Sequence, residues 1–218
     1  MKIISIIPAR GGSKGLPKKN ILELAGKPLI AWTIESSLKS KYISKTIVSS
    51  DCDEILNISS KYGSEILKRP DELASDTATS FDAIKHTIEF YKNEMKKEFD
   101  YIVLLEPTSP LREVDDIDNM IEKIIKDEDN FDSIVSIGEV AEHPSIMKQI
   151  INGNSIVAFC KELELTTRRQ DNKKAYFPYG VAYIVKTKSL LEEKTFYTER
   201  NAFYEIKRYQ CYEIDDIY

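Results

Sequence analysis

An α/β fold on an open, largely parallel sheet is what this sequence predicts, and three features predict it. Apolar runs of strand length recur along the chain, at Ile3–Pro8, Thr46–Ser49, Glu65–Leu67, Tyr101–Leu105 and Ser133–Ile137. Amphipathic stretches of helical period separate them, and strands that alternate with helices are joined by crossovers, which make a sheet parallel. The 218 residues, 42% hydrophobic and 31% charged, suffice for one well-packed domain over 1–218 with a small excursion.

Taken in order, Ile3–Pro8 is a buried strand because it runs without a charge directly into a glycine-rich loop. After Thr79, the residues Phe81, Ile84, Ile88 and Tyr91 share one helical face. Ile117, Met120, Ile121, Ile124 and Ile125 do the same later, so both helices should pack on the sheet. Past Gly138 the pattern loses its regularity, and Asn152-Gly153-Asn154 reads as a hairpin turn, which places a second β-containing element within 138–180. The last strand-like run, Ile206–Ile214, ends beside Asp215 and Asp216. No internal repeat or low-complexity linker interrupts the chain.

A net charge of −5 argues against holding nucleic acid by broad phosphate neutralisation, so a polyanionic ligand must meet a local basic patch. The run Ile3–Ala9 lacks the length and flanks of a signal peptide or membrane span, which points to a cytoplasmic protein without a membrane partner. Cys52, Cys160 and Cys211 are scattered and read as reduced packing residues. His86 and His143 have no neighbours at zinc-ligand spacing and support no histidine-based triad.

In open α/β sheets, ligands sit beyond the carboxyl ends of the strands, which directs attention to the loops after Ile7, Ser49, Leu67 and Leu105. The first of these, Pro8-Ala9-Arg10-Gly11-Gly12-Ser13-Lys14-Gly15-Leu16-Pro17-Lys18-Lys19-Asn20, carries the strongest signal. Its glycines allow close backbone approach and expose N–H donors, Arg10, Lys14, Lys18 and Lys19 bring positive charge, and no acidic residue occurs before Glu23. That is a triphosphate cradle by chemistry. It is neither a Walker A loop nor a dinucleotide Gly-x-Gly-x-x-Gly motif, so kinase and dehydrogenase readings lose ground.

At the other end Glu213, Asp215 and Asp216 offer hard oxygen ligands, and strand alternation would put Glu213 and Asp215 on one face with Asp216 elsewhere. Arg69 follows a strand and precedes a proline, a loop position suited to ligand contact. Arg112 reads as an ordinary ion-pair arginine, and Asp76 as a brace for its own loop or a ligand contact.

The first loop resembles that of the acylneuraminate cytidylyltransferases, the CMP-sialic acid synthetases and their bacterial relatives acting on legionaminic and pseudaminic acids. Arg69-Pro70-Asp71-Glu72-Leu73-Ala74-Ser75-Asp76-Thr77-Ala78-Thr79-Ser80 is similar to that family's second block, and Leu104-Leu105-Glu106-Pro107-Thr108-Ser109-Pro110-Leu111-Arg112 to its third. Arg168-Arg169-Gln170 and Glu213-Ile214-Asp215 resemble two more in the same order, so the likeness covers nearly the whole chain.

The resemblance implies a Rossmann-like nucleotidyltransferase fold, usually homodimeric, that joins CMP from CTP to a nonulosonic acid with magnesium and release of pyrophosphate. By matched position Arg10, Gly11, Gly12, Ser13, Lys19 and Asn20 hold the nucleotide, with Arg69 and Ser80 adding contacts, while Glu106, Arg169 and Gln170 meet the sugar. Attack of an anomeric hydroxyl on the α-phosphorus spreads charge over phosphate oxygens, so positioning and charge stabilisation dominate. Arg10 and Lys19 would supply the stabilisation, and a metal held by Asp215, with Glu213 as the weaker ligand, would bridge the phosphates. The segment 138–180 is implied as a dimerisation arm, which leaves open which subunit Arg169 and Gln170 serve.

Three positions depart from the family's pattern. Glu106 stands where sialic acid synthetases commonly carry Gln, Phe177 where an Arg often lies, and Tyr179 where Asn usually precedes Gly180. An acceptor-only carboxylate in place of an amide favours a sugar with different polar decoration, so legionaminic acid stands level with N-acetylneuraminic acid. Transfer to another acidic sugar such as 3-deoxy-manno-octulosonate, and a nucleotide-binding homologue without turnover, are the competing readings.

Overall fold

The computed structural model describes residues 1–13, 15–75, 77–160 and 173–217. The chain forms β1 (Ile3–Pro8), β2 (Glu23–Leu24), β3 (Lys27–Pro28), α1 (Leu29–Lys39), β4 (Ile43–Ser50), α2 (Asp53–Lys61), β5 (Glu65–Lys68) and α3 (Ser80–Asn93). It continues through β6 (Tyr101–Leu104), α4 (Val114–Lys126), β7 (Ser133–Glu139), β8 (Lys148–Ile151), β9 (Ser155–Ala158), β10 (Tyr176–Lys186), α5 (Thr187–Glu193) and β11 (Asn201–Glu205). The main sheet has seven strands in the order β11-β7-β10-β6-β1-β4-β5.

Strands β6, β1, β4 and β5 are mutually parallel, as the alternation with helices demands, and β11 lies parallel to β7. Only β10 runs antiparallel, wedged between β6 and β7. From β1 the chain winds to one side through β4 and β5, then returns to place β6 on the other side of β1. This reversal opens a crevice at the carboxyl ends of β1 and β6.

Both faces of the sheet are covered, which is why its central strands read as continuous apolar runs. Ile3, Ile7, Val48, Val103 and Ile184 face Ile30 and Ile34 of α1, Ile55 of α2, and Ile117, Met120, Ile121 and Ile124 of α4. Ile4, Ile6, Ile102, Leu104 and Val185 face Ile84 and Tyr91 of α3 and Leu190 of α5. Ser5 interrupts the first run without penalty, because its hydroxyl meets Ser37 Oγ at 2.6 Å and Ser37 in turn meets Thr46 Oγ1 at 2.7 Å.

The expected hairpin lies where Asn152-Gly153 predicts it: β8 and β9 pair antiparallel, and Asn152 and Gly153 take φ of 51° and 73°. The expected strand at Ile206–Ile214 is not formed. The edge strand is the preceding segment, β11, and its ladder ends where Ile206 N–H donates to Ile137 O. Gln210 then turns the chain by reaching Asp116 Oδ2 at 2.5 Å, and Ile214 N–H is fixed on Thr108 O at 2.8 Å. Glu213 and Asp215 therefore come to the site on a tethered tail rather than on one face of a strand.

Candidate active site

A cavity of about 620 Å³ occupies the crevice at the ends of β1 and β6. Arg10, Ser13, Gly15, Lys19 and Asn20 of the loop after β1, with Arg69, Leu73–Ser75 and Ala78–Ser80, form one side of it, and Glu106–Thr108 with Glu213 and Asp215 form the other.

On the first side Arg10 leans across to Ser75 O at 3.4 Å, and buried Asn20 locks the loop by donating to Arg10 O at 3.2 Å. Arg69 is only 5% exposed, yet its guanidinium meets no closer carboxylate than Asp51, with Nη2 at 3.8 Å, and its Nε has no acceptor among the described residues. Burial accordingly pushes its pKa down, against the opposing pull of Asp51. A buried guanidinium with spare donors is a ready anion contact.

Helix α3 starts at the same wall. Thr79 caps it, exchanging hydrogen bonds with Asp82 in a capping box, and Ser80 at the first helical position lines the cavity. The positive end of this 14-residue helix thus adds to Arg10 and Arg69.

The opposite side is acidic. Glu106 lines the cavity with its carboxylate laid against Gly180, and Cβ at that position would collide with Oε2, so only glycine fits there. Gly180 N–H donates to Glu213 Oε1 at 2.8 Å, and Ser109 Oγ to the same oxygen at 3.2 Å. Burial, then the charge of Glu213, push the Glu106 carboxyl up to about 7.

Beneath this wall lies Arg112. Sequence reasoning took it for an ordinary ion-pair residue, but it is buried and bonded to backbone. Its guanidinium donates to Gly180 O at 2.7 Å, Glu106 O at 2.9 Å, Thr33 Oγ1 at 2.9 Å and Val181 O. One side chain thereby ties the loop after β6 to β10 and α1. Desolvation lowers its pKa to about 10.

Lys19 Nζ and Asp215 Oδ1, 2.7 Å apart, join the two sides. The tail also presses on the first loop at Gly15, where Cβ would come within 2.5 Å of Asp215 O. Among the described residues no three His, Cys, Asp or Glu side chains converge as a metal cage. Glu213 is turned inward on Gly180 and Ser109, leaving Asp215, 68% exposed, as the carboxylate on offer. One carboxylate suits a magnesium ion that shares its other positions with phosphate and water.

The structure thus brings Arg10, Ser13, Lys19, Asn20, Arg69, Ser80, Glu106, Glu213 and Asp215 to one cavity. Gly11 and Gly12 lie beside it: Gly11 N–H is engaged by Asp51 Oδ1 at 3.0 Å, while Gly12 stands in open space. Arg169 and Gln170, like Asp76 and Lys14, lie outside the described residues. Asp51, which holds both Gly11 and Arg69, escaped sequence reasoning; the Ser-Ser-Asp end of β4 was its only signal.

The sequence profile of the cytidylyltransferase family matches residues 4–217. An N-acylneuraminate cytidylyltransferase of Escherichia coli is 34% identical over 99% of this chain, but the match takes in 49% of that protein, so the chain spans about half the length of such relatives. A CMP-N,N'-diacetyllegionaminic acid synthase of Legionella pneumophila is 36% identical over 91% of this chain and 84% of its own. In fold, the chain is similar to a CMP:2-keto-3-deoxy-manno-octonic acid synthetase complexed with CTP, at a TM-score of 0.68 and 17% identity over 94% of this chain and 90% of that one.

Proposed function

The chain belongs to the cytidylyltransferase family, and on that premise we propose that it joins CMP from CTP to a nonulosonic acid sugar of the sialic or legionaminic type, releasing pyrophosphate. One observation carries the reading: a single cavity gathers the cationic groups Arg10, Lys19 and Arg69 with the carboxylates Glu106, Glu213 and Asp215.

The triphosphate belongs on the cationic side, with Arg10, Ser13, Lys19, Asn20, Arg69 and Ser80 holding the nucleotide. Gly11 and Gly12 shape the loop that carries them. Arg10 and Lys19 stabilise charge that builds on the phosphate oxygens as the sugar hydroxyl attacks. Asp215 is the residue to hold magnesium, and the ion, arriving with CTP, would neutralise phosphate charge there. The sugar lies toward Glu106, with Arg169 and Gln170 assigned to it on the resemblance alone.

We further propose a homodimer built on the β8–β9 hairpin. Ile150 and Ile156 are cross-strand partners, 75% and 67% exposed, and a two-stranded ribbon carrying bare apolar side chains needs cover. Among the described residues no helix is long and apolar enough to cross a membrane, and with CTP as co-substrate the cytoplasm is the compartment this reading implies.

The test is pyrophosphate release with CTP, magnesium and a panel of N-acetylneuraminic, legionaminic, pseudaminic and 3-deoxy-manno-octulosonic acids, with the product identified by mass. Turnover of a nonulosonic acid is the expected result. A folded sample that binds CTP and turns over none of them would sink the proposal.

A further inference from the structure

Strand β4 lies between β1 and β5, and its carboxyl end serves both neighbours in turn. Ser49 O accepts from Ala9 N–H at 3.0 Å on the β1 side, and Ser50 O accepts from Arg69 N–H at 2.9 Å on the β5 side. Asp51 comes next, and its carboxylate takes over where the ladder stops. Its Oδ1 accepts from Gly11 N–H at 3.0 Å and lies 3.8 Å from Arg69 Nη2. One oxygen therefore stands between the loop after β1 and the arginine after β5. Lys68 Nζ fixes the backbone there by donating to Asp51 O at 2.5 Å.

Asp51 stands behind Arg69 rather than in the cavity lining. Because Gly11 N–H is given to it, that amide is not a phosphate donor, and what it does instead is fix where the loop sits. The approach is close: Cβ at Gly11 would come within 2.9 Å of Cys52 Cβ and 3.3 Å of Asp51 Oδ2. A carboxylate this near the cationic side also works against a polyanion, since like charges repel over such a range. In the absence of an anion, the same charge is what Arg69 leans on. The Arg69 side chain is 5% exposed, its Nε has no acceptor among the described residues, and Arg10 is near enough to oppose its charge. A buried cation needs a counter-charge until its ligand comes.

Resting on the CMP-transfer reading above, we propose that Asp51 is a positioning residue of the nucleotide site, whose carboxylate sets the spacing of the phosphate loop from Arg69 and holds Arg69 in place until the triphosphate arrives. The bond and the charge act on CTP with opposite signs. The bond to Gly11 pre-organises the loop and so favours binding. The charge stabilises the ligand-free site over the filled one and so weakens binding. Asp51→Asn separates the two, because an amide oxygen still accepts from Gly11 N–H while the charge is gone. Asp51→Ala removes both.

Calorimetric titration with CTP and magnesium, in the absence of sugar, reads both effects. Asp51→Asn should bind CTP about three- to tenfold more tightly than the parent, the size of a charge interaction near a protein surface. Its ligand-free form should melt below the parent's, and saturating CTP should narrow that gap. Asp51→Ala should bind about tenfold more weakly than Asp51→Asn, the worth of one hydrogen bond. A residue that only supported the fold would weaken binding in both variants. In the parent, which needs no variant to fold, the Gly11 amide should exchange slowly with solvent both with and without CTP. An Asp51→Asn enzyme that binds CTP no more tightly than the parent overturns the inference. So do two variants of equal affinity, or a Gly11 amide that is protected only when CTP is bound. A parent that binds CTP but transfers CMP to no sugar ends the CMP-transfer reading and leaves Asp51 to be judged on these same titrations; a parent that binds no CTP ends both.

Discussion

Lys19 Nζ donates to Asp215 Oδ1 at 2.7 Å, so the first loop of the chain is clasped to its C-terminal tail across the mouth of the cavity. With Asp215 68% exposed, this pair contributes about 0–1 kcal/mol to stability. Lys19→Met and Asp215→Asn should therefore leave the melting temperature nearly unchanged. Each should lower kcat/KM by roughly two to three orders of magnitude, as losing a group that stabilises transition-state charge does. The double variant should lose much less than the product of the two losses, because the residues act on the same phosphates. Steady-state kinetics beside thermal melts checks all three statements.

Arg112 should behave in the opposite way. It is fully buried with its donors distributed among three backbone carbonyls and a hydroxyl, a fork that lysine does not reproduce. Arg112→Lys and Arg112→Met strand several buried acceptors at once, and either should cost on the order of 3 kcal/mol. Urea denaturation should show a lower midpoint at unchanged slope. In the fraction that stays folded, KM for the sugar should rise more than KM for CTP, since Glu106 and Gly180 lose their common support while Arg10 and Arg69 do not.

The central strands were legible because burial on both faces leaves no room for polar alternation, and Ile3–Pro8 announces itself. β10 was not: Pro178 and Gly180 break its pattern, and its place depends on β6 and β7, distant in sequence. The last strand was misplaced because Asn201–Glu205 is a short edge strand with alternate residues in water, whereas the longer apolar series after Ile206 imitates one. The nucleotide side of the site could be read because Arg10, Ser13, Lys19 and Asn20 occupy one loop. Arg112 and Asp51 could not, since an arginine bound to carbonyls and an aspartate bound to an amide leave no signature in the side chains around them.

If the β8–β9 hairpin seals a homodimer, a charge at its tip should dissociate it. Ile150→Lys and Ile156→Lys alter exposed positions, and such substitutions stay within about 0.5 kcal/mol for the isolated fold. Sedimentation should then show monomer for the variants and dimer for the parent, with the same circular dichroism. A parent that sediments as a monomer at micromolar concentration would end the dimer proposal.

Glu106 gives a pH dependence whose sign is fixed by its environment. Its carboxyl, ordinarily near 4.5, is pushed up to about 7 by burial and by Glu213, so the folded state binds a proton that the unfolded state has released. Stability tied to that proton is complete below about 4.5, falls as pH rises, and is gone above about 7. Glu106→Gln keeps the shape and cannot ionise. The variant should match the parent near pH 4.5 and gain on it through the interval to pH 7, with a plateau on the order of 2 kcal/mol above. Urea midpoints of both proteins from pH 4.5 to 8.5 measure the difference. A gain that appears equally at every pH would assign the effect to packing against Gly180 and remove the raised carboxyl from the account of the site.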